Sequence, residues 1–484
     1  MTAPTVSMDP SDIVDTVLAF YEFALADGSL VAIPRDPGEP HRARPVGDVS
    51  AAVTSLAWEC VGSDAPTSDL LAATTMLTAI ARTAPARDVA LRAVEQSNTL
   101  VLDLARPGEL RSAVRVTPSG WELIDPRAVG VLFGSSRATK PLPVPVSGGS
   151  RDILAKILGL SPRSAEFRLV WGWLVCALFS SMPRPLLAVA GPSGAGKSTL
   201  ARMVKSILDP ALGATGRDGV LGSAPTDDNA ANIASVAPHF IPTWDNVTRI
   251  DDDVAAWFAA LVTGAASFHE SQGTARHCSA LRRTGIITTA ALPDGLGADV
   301  RERLVAVELP RVAASVRRTE RALWEEFRAQ HPAILGALLD DVAGVLALLD
   351  YAGTEIAEVE RMADYHEHLV ALDLHLDTDP RDANSYAATY ADSVVDGRKG
   401  DLFVTAVASL AADRWEGTAT ELRDALALKR PREAGASWPN GPSQVARALT
   451  QHTAALAERR VTVHRVTRDS GRRRLYLLDI DPRP

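Results

Sequence analysis

The stretch GPSGAGKST, residues 191–199, decides the fold, because it matches the pattern G-x-x-x-x-G-K-[ST] in full. Residues 185–190 before it form an apolar run that favours a buried strand, and residues 200–208 after it have helical spacing. A strand, a glycine-rich turn and a helix in this order predict a phosphate-binding loop in an α/β fold with a parallel sheet. An accidental glycine-rich turn is the alternative, and the agreement of all three parts argues against it.

The residue types of this loop suit the phosphates of a nucleotide. Glycines let the backbone turn its N–H groups toward an anion, at the positive end of the following helix. Lys197 supplies a mobile cation for the β- and γ-phosphates, and the Ser198 hydroxyl can bind Mg²⁺. We therefore expect ATP and Mg²⁺ as ligands, with ATP held by Gly191, Pro192, Ser193, Gly194, Ala195, Gly196, Lys197, Ser198 and Thr199.

Length and composition describe a chain of several globular domains. A length of 484 residues exceeds one ordinary domain, and 46 % apolar with 23 % charged residues is typical of globular proteins. Three widely spaced cysteines predict neither a disulfide framework nor a zinc site. Neither a targeting segment nor a membrane-spanning run is evident, so we expect a cytoplasmic protein with no membrane partner.

Charge is distributed unevenly along the chain. The formal net charge is −9, yet residues 429–484 carry twelve Lys and Arg against five Asp and Glu, which leaves −16 for the rest. An acidic body repels nucleic acid, whereas a basic end of this size can contact phosphates.

Residues 1–145 predict an N-terminal α+β domain. Helical spacing covers residues 13–26, 67–83 and 85–96, around a strand candidate at 30–34. From residue 99 the segments LVLDLA, SAVRVT and GWELI predict a small antiparallel meander. Trp121 in the last segment is interpreted as a packing residue rather than a platform for base stacking. The stretch KPLPVPVSGGS then marks a domain boundary.

A second nucleotide motif is expected at PHFIPTWDNV, residues 238–247. An acid at the end of a strand beside the phosphate loop can hold Mg²⁺, and Asp245, 48 residues after Lys197, suits that position. Pro242 disfavours a regular strand there, so a simple turn is the alternative. Asn246 cannot take a proton from water at neutral pH, so hydrolysis is slow or another group orients the water.

A polar sensor and an arginine follow. The stretch TGIITTAAL, residues 284–292, predicts a buried strand with a polar tip, where Thr288 or Thr289 could contact the γ-phosphate. A threonine bonded only to backbone is an equally compatible interpretation. Arg303, just before the strand expected at 304–309, is placed to reach the γ-phosphate of a neighbouring subunit, with a surface salt bridge as the alternative.

Two basic regions are candidates for nucleic-acid contact. The polar segment between the second motif and the sensor strand predicts a pore loop that grips a single strand through Arg276, Arg282 and Arg283. After a helical lid or linker bundle at 311–401, residues 402–484 predict three helices, the third at 443–459, and a hairpin. This winged-helix pattern could bind duplex DNA through Arg465, Arg468, Arg472, Arg473 and Arg474, or only mediate protein contacts.

The series Lys197, Asp245, Thr288 and Arg303 resembles the AAA+ P-loop ATPases, specifically the superfamily 3 helicases of phage, plasmid and poxvirus primase–helicase proteins. The stretches GPSGAGKSTLARMV, WDNV, DVRERLVAVELP, PAILGALLD and RMADY are similar to those of actinobacterial ATP-binding proteins of phage-like or integrative elements. The resemblance runs from about residue 103 to 476 and is strongest at the phosphate loop.

This resemblance implies a homo-oligomeric ring, usually a hexamer, with an AAA+ core at 151–310 and Arg303 acting in trans. The chain departs from the superfamily pattern at Thr288, where asparagine is common, and at Asp245-Asn246, where acid pairs are common. Segments like primase catalytic carboxylates are not found upstream.

Two functions follow from these expectations. The first is an Mg-ATP-dependent DNA helicase or helicase-like translocase that replicates a phage or mobile element. The second is an ATP-binding oligomeric switch or scaffold, in replication or anti-phage defence, that unwinds nothing. A small-molecule kinase is a third possibility, and the extra domains argue against it.

Overall fold

The computed structural model describes most of the chain. The described residues are 9–26, 29–45, 49–61, 67–134, 139–211, 221–226, 228–247, 250, 252–270, 276–292, 298–313, 315, 317–355, 361–399, 402–430, 438–468 and 473–480.

The amino-terminal region combines three helices with two small sheets. Its elements are α1 Pro10–Phe20, β1 Tyr21–Ala26, β2 Ser29–Pro34, β3 Arg42–Pro45, α2 Val49–Val61, α3 Thr67–Arg82, β4 Ala93–Gln96, β5 Thr99–Asp103, β6 Ala113–Thr117, β7 Gly120–Ile124 and β8 Phe133–Gly134. One sheet has the order β1-β2-β3-β8, and the other is the antiparallel meander β4-β5-β6-β7. The expected meander is therefore present, with β4 as an additional first strand.

A parallel sheet forms the centre of the molecule. The elements of this region are α4 Arg151–Leu158, α5 Ala165–Cys176, β9 Leu186–Ala190, α6 Lys197–Leu208, α7 Asn229–Val236, β10 Thr243–Trp244, α8 Asp252–Thr263, β11 Ala265–Glu270, β12 Arg276–Leu281, β13 Ile286–Thr289, α9 Ala298–Arg301 and β14 Leu304–Glu308. The sheet order is β10-β13-β9-β14, and all three pairings are parallel. Every residue of β9 is buried, as the apolar run before the loop predicts. Pro242 lies just before β10, where its missing N–H removes no ladder bond.

Three helices follow the sheet in the chain: α10 Glu320–Glu355, α11 Ala363–His375 and α12 Tyr386–Lys399. Helix α12 contacts strand β14, whereas α10 packs on α11 and on strands β6 and β7 of the meander. By length and composition alone α10 could cross a membrane, but 67 % of its most apolar 18-residue window is buried inside the chain. The helix thus has the environment of a core helix. Trp121 of the meander packs against this core, and its indole N–H donates to Asp340 on α10 at 2.8 Å. The packing interpretation of Trp121 is confirmed.

The carboxyl-terminal region has its own hydrophobic core, which includes Val404, Leu422, Val445 and Leu478. Its elements are α13 Leu402–Ala411, β15 Trp415–Thr418, α14 Ala419–Leu428, α15 Pro442–Gln451, α16 Thr453–Glu458, β16 Val461–Arg468 and β17 Arg473–Ile480. The three strands form an antiparallel sheet of order β15-β17-β16.

Three helix predictions are wrong. The chain at 85–96 is extended, because Leu25 donates to the Pro85 carbonyl, the Arg87 N–H donates to the Leu25 carbonyl, and β4 pairs with β5. The helix expected at 13–26 ends at Phe20, since residues 21–26 pair with β2. The helix expected at 443–459 is divided at His452 into α15 and α16. In each case backbone partners distant in sequence override local spacing.

A buried ion pair ties helix α6 to the chain that leads into β10. The Lys205 ammonium donates to Asp209 and to the Ile241 carbonyl, both at 2.6 Å, and the Ile241 N–H donates to the same carboxylate at 2.9 Å. Burial lowers the pKa of Lys205. Burial raises the pKa of Asp209, but Lys205 and Arg92 outweigh it, so that pKa is lowered.

We predict that Lys205→Met lowers the free energy of unfolding by about 3–5 kcal/mol, because it leaves Asp209 buried without its closest cation. A matched control is Arg321→Gln, since Arg321 and Glu325 have the same spacing but are exposed. That change should cost no more than about 1 kcal/mol. Urea unfolding monitored by tryptophan fluorescence measures both, and equal losses would contradict the buried pair.

Candidate functional site

The loop turns at the carboxyl end of β9, and glycine is required at residues 191 and 196, the first and last residues before helix α6. A Cβ atom on Gly191 would lie 2.5 Å from the Leu309 carbonyl oxygen, so only glycine permits this approach of two backbones. Gly196 has φ +85°, in the left-handed region, and the next residue begins α6. The amino end of α6 thereby faces the cleft beside the carboxyl ends of the strands, as in sites that bind anions.

Lys197 lies across this loop. Its ammonium donates to the carbonyl oxygens of Gly191 at 2.7 Å and Pro192 at 3.1 Å. The Lys197 ammonium is therefore held at the same turn where a phosphate group would bind.

Asp245 is the point where three segments meet. One of its carboxylate oxygens, Oδ1, accepts a hydrogen bond from Ser198 at 2.9 Å and another from Thr288 at 2.5 Å. The structure thus brings together a residue of α6, the residue after β10 and a residue of β13. The strands are parallel, so their carboxyl ends lie at one edge of the sheet, where such side chains converge. A serine hydroxyl next to a carboxylate is the kind of oxygen donor set that Mg²⁺ takes in phosphate sites.

Thr288 positions the acid. Its hydroxyl donates its single proton to Asp245 and accepts the Asn246 N–H at 2.9 Å, so both neighbours in this turn are fixed by one side chain. The Thr289 hydroxyl donates instead to the Ala291 carbonyl at 2.7 Å. Of the two candidate sensors, Thr288 is the one bonded to site residues, and its proton is directed at the carboxylate.

Asn246 has φ +53°, a left-handed conformation that asparagine tolerates better than most residues. Its exposed side chain lines a cleft of about 350 Å³. The residues around this cleft are Ser193, Gly194, Gly196, Lys197, Ser198, Thr199, Asn246 and Ala290. The sequence predicted all of these residues except Ala290. Ala290 reaches the cleft because it follows strand β13, and its position depends on the pairing of that strand.

Arg303 lies at the opposite edge of the sheet from the cleft. Its carbonyl accepts the Leu186 N–H at 2.9 Å, at the amino end of β9, and residue 304 pairs with residue 186. A five-residue strand separates it from the loop, about 16 Å along the sheet. The structure therefore does not bring Arg303 to the loop of its own chain. Glu302, an acid beside it, pairs with Arg361 at 2.8 Å.

The hairpin β11–β12 also lies at this amino edge. Arg282 donates to the Ser180 carbonyl at 2.8 Å and Arg283 to the His239 carbonyl at 3.3 Å, so both guanidinium groups hold the base of the hairpin to the core. The side chain of Arg276 lies outside the described part of the structure. Arg282 and Arg283 therefore bind backbone carbonyls of the core, which the sequence did not predict.

In the carboxyl-terminal region, Arg465 is exposed and donates to Thr450 on α15 at 2.6 Å. Arg468, Arg473 and Arg474 are placed on β16 and β17 by the backbone alone, and Arg472 lies outside the described residues. The register pairs Arg468 with Arg473 next to the turn of the hairpin.

We predict that Thr288→Val lowers the free energy of unfolding by about 1–3 kcal/mol, because a buried hydroxyl that serves two partners is lost. Thr288→Ser retains both hydrogen bonds and should stay within about 1 kcal/mol of the parent. Urea unfolding of the two variants compares them directly. If the valine variant is as stable as the serine variant, the hydrogen bonds of the Thr288 hydroxyl to Asp245 and Asn246 do not form.

Comparison with known proteins assigns the chain to a family. Residues 152–396 match the family described as actinomycete integrative conjugative element replication protein, and residues 403–483 match the AICE RepA C-terminal domain. None of the curated proteins matches.

Among solved structures, the chain is similar to two apo structures of the NrS-1 C-terminal region, each at 11 % identity. Their TM-scores are 0.41 and 0.42, covering 98 % of this chain and 100 % and 99 % of those chains. A third similar structure is that of JCV helicase with a bound acetamide compound, at 10 % identity and a TM-score of 0.22, covering 45 % of this chain and 67 % of that one. Since the first family match spans half of the sequence and includes the whole cleft, the chain belongs to the actinomycete integrative conjugative element replication proteins.

Proposed function

We propose that this replication protein is an Mg-ATP-dependent, oligomeric DNA helicase or helicase-like translocase of a mobile element. The observation that carries the proposal is that Lys197 and Ser198 line one cleft at the carboxyl edge of a parallel sheet, and that Ser198 donates a hydrogen bond to Asp245 beside it. Membership of a replication family supports a role on DNA, inside the cell that carries the element.

In this proposal the loop at 191–199 binds the phosphates of ATP through its backbone N–H groups and Lys197. Ser198 and Asp245 fit Mg²⁺, since both offer oxygen ligands and already lie within a hydrogen bond of each other. When bound, the ion neutralises charge that develops on the phosphates. Thr288 keeps the carboxylate oriented toward Ser198.

The architecture supports the division suggested by the sequence. We propose an AAA+ core at 151–310 around β9, a lid bundle of α10, α11 and α12, and a winged helix at 402–484. Helices and a three-stranded antiparallel sheet around a separate core support the last of these. The amino-terminal region, 1–145, has no proposed chemistry.

The position of Arg303 supports a shared site. We propose that Arg303, which lies at the edge of the sheet away from its own cleft, acts on the cleft of a neighbouring copy, with a surface salt bridge as the alternative. The proposal therefore requires a homo-oligomer, and the resemblance to ring helicases favours a hexamer.

We predict that Lys197→Ala and Arg303→Ala each lose ATP hydrolysis, and that co-expressed mixtures of the two recover part of it. Random mixing at equal amounts gives about a quarter of the wild-type rate per subunit, because one interface in four joins an intact loop to an intact arginine. A phosphate-release assay measures the rate, with wild type mixed with the double variant as the control. Absence of recovery at every ratio would contradict action in trans.

DNA contact is proposed at two places, the hairpin β11–β12 for a single strand and the hairpin β16–β17 for duplex. At the second, the register pairs two arginine positions, 468 and 473, directly across the strands. Like charges at such positions destabilise a hairpin unless an anion neutralises them. A phosphate backbone supplies that anion.

We predict that replacing Arg468, Arg473 and Arg474 with Gln weakens duplex binding and reduces the slope of log affinity against log salt by about 2–3. The matched control replaces Arg414, Arg423 and Lys429 with Gln, because these cations of the same region have their own partners, Asp479, Asp424 and Ser409. Fluorescence anisotropy with the full chain measures both sets. An equal loss of duplex affinity in the two sets of variants would show that the hairpin β16–β17 does not bind DNA.

Asn246 favours a second candidate, the ATP-binding switch or scaffold. Its amide can orient a water molecule in the cleft but cannot accept a proton from it. An ATPase assay with and without single- and double-stranded DNA, together with a native mass measurement, separates the candidates. Stimulation by DNA in a hexamer supports the motor, and an oligomer that binds ATP without stimulation supports the switch.

A further inference from the structure

The segment between β14 and α10 is bonded at both ends to elements that flank the phosphate loop. At its start, the Leu309 N–H donates to Ala190, the last residue of β9, at 2.9 Å, and its carbonyl lies against Gly191. At its end, Glu320 of α10 pairs with Arg202 of α6 at 2.7 Å. Both ends of the segment are thus attached to elements that flank the loop.

Arg317 in this segment lies beside Gly194 of the loop. Its guanidinium nitrogen Nη2 lies 3.5 Å from the position that a Cβ atom on Gly194 would occupy. Its Nε–H donates to the Val312 carbonyl at 3.3 Å, which fixes the plane of the guanidinium. Gly194 is part of the wall of the cleft that holds Lys197.

Arg317 differs from two neighbouring arginines, which form ion pairs with carboxylates. Arg318 pairs with Glu326, and Arg321 with Glu325. Within the described part of the chain, no carboxylate lies within 4.0 Å of Arg317, which is exposed. Arg317 is thus an exposed cation beside the loop, and a planar guanidinium binds phosphate oxygens in pairs.

We propose that Arg317 is a nucleotide-binding residue that acts in cis on the terminal phosphate of a nucleoside triphosphate in this loop. The inference rests on the proposed function, since it adds a second cation, from the same chain, to the phosphate site of Lys197. It also connects the bound triphosphate to α10, because Glu320 begins that helix three residues later. The site then has two cationic side chains of the same chain, Lys197 from α6 and Arg317 from the segment before α10.

The test is the affinity of the full chain for Mg²⁺ complexes of ADP and of a non-hydrolysable ATP analogue, measured by competition with a fluorescent ADP. Arg317→Ala should weaken binding of the ATP analogue by about 10- to 100-fold, the effect of losing charge-assisted hydrogen bonds, and should change ADP binding by less than about 3-fold. Arg317→Lys should recover part of the loss, since it keeps the charge without the paired geometry.

Arg318→Ala is the matched control, because this adjacent arginine has a carboxylate partner, and it should leave both affinities unchanged. An Arg317→Ala variant that binds the ATP analogue as tightly as wild type would overturn the inference, as would equal weakening of both nucleotides. If wild type binds neither nucleotide, or Lys197→Ala binds both as wild type does, the proposed function itself fails.

Discussion

The hydrogen bonds that Ser198 and Thr288 donate to one oxygen of Asp245 hold the site together. Ser198 lies in the first turn of α6, Thr288 in β13 and Asp245 just after β10, so their meeting depends on the parallel pairing of β10, β13 and β9. A slip of one residue between these strands would turn the side chains to opposite faces of the sheet. The same pairing places Asn246 in the cleft, through its N–H bond to Thr288.

A second set of buried contacts fixes the helix that carries Lys197. The Lys205–Asp209 pair binds both the N–H and the carbonyl of Ile241, four residues before Asp245. Arg92, from the amino-terminal region, lies 3.8 Å from Asp209 and donates to the Lys140 carbonyl at 3.1 Å. Buried charges in this arrangement constrain geometry more than they add stability. They connect the amino-terminal region to the carboxyl end of helix α6.

The two edges of the parallel sheet have different chemistry. The carboxyl edge holds the cleft, with Arg317 beside it in the same chain. The amino edge holds Arg303 and the base of the hairpin β11–β12. An oligomer in which the amino edge of one copy faces the cleft of the next would bring both arginines to one nucleotide. Such a head-to-tail interface closes into a ring when its rotation permits.

The sequence alone determined the glycine-rich loop, its strand and helix, the meander and the basic carboxyl-terminal region, because local motifs and apolar periodicity specify them. It failed at 85–96, where helical spacing was overridden by pairing with β1 and β5. Only the tertiary structure decided that Thr288 holds Asp245, that Arg282 and Arg283 bond to core carbonyls, and that Arg317 lies beside the loop. These contacts join residues far apart in the chain, and spacing along a sequence contains no information about which edges the folded backbone brings together.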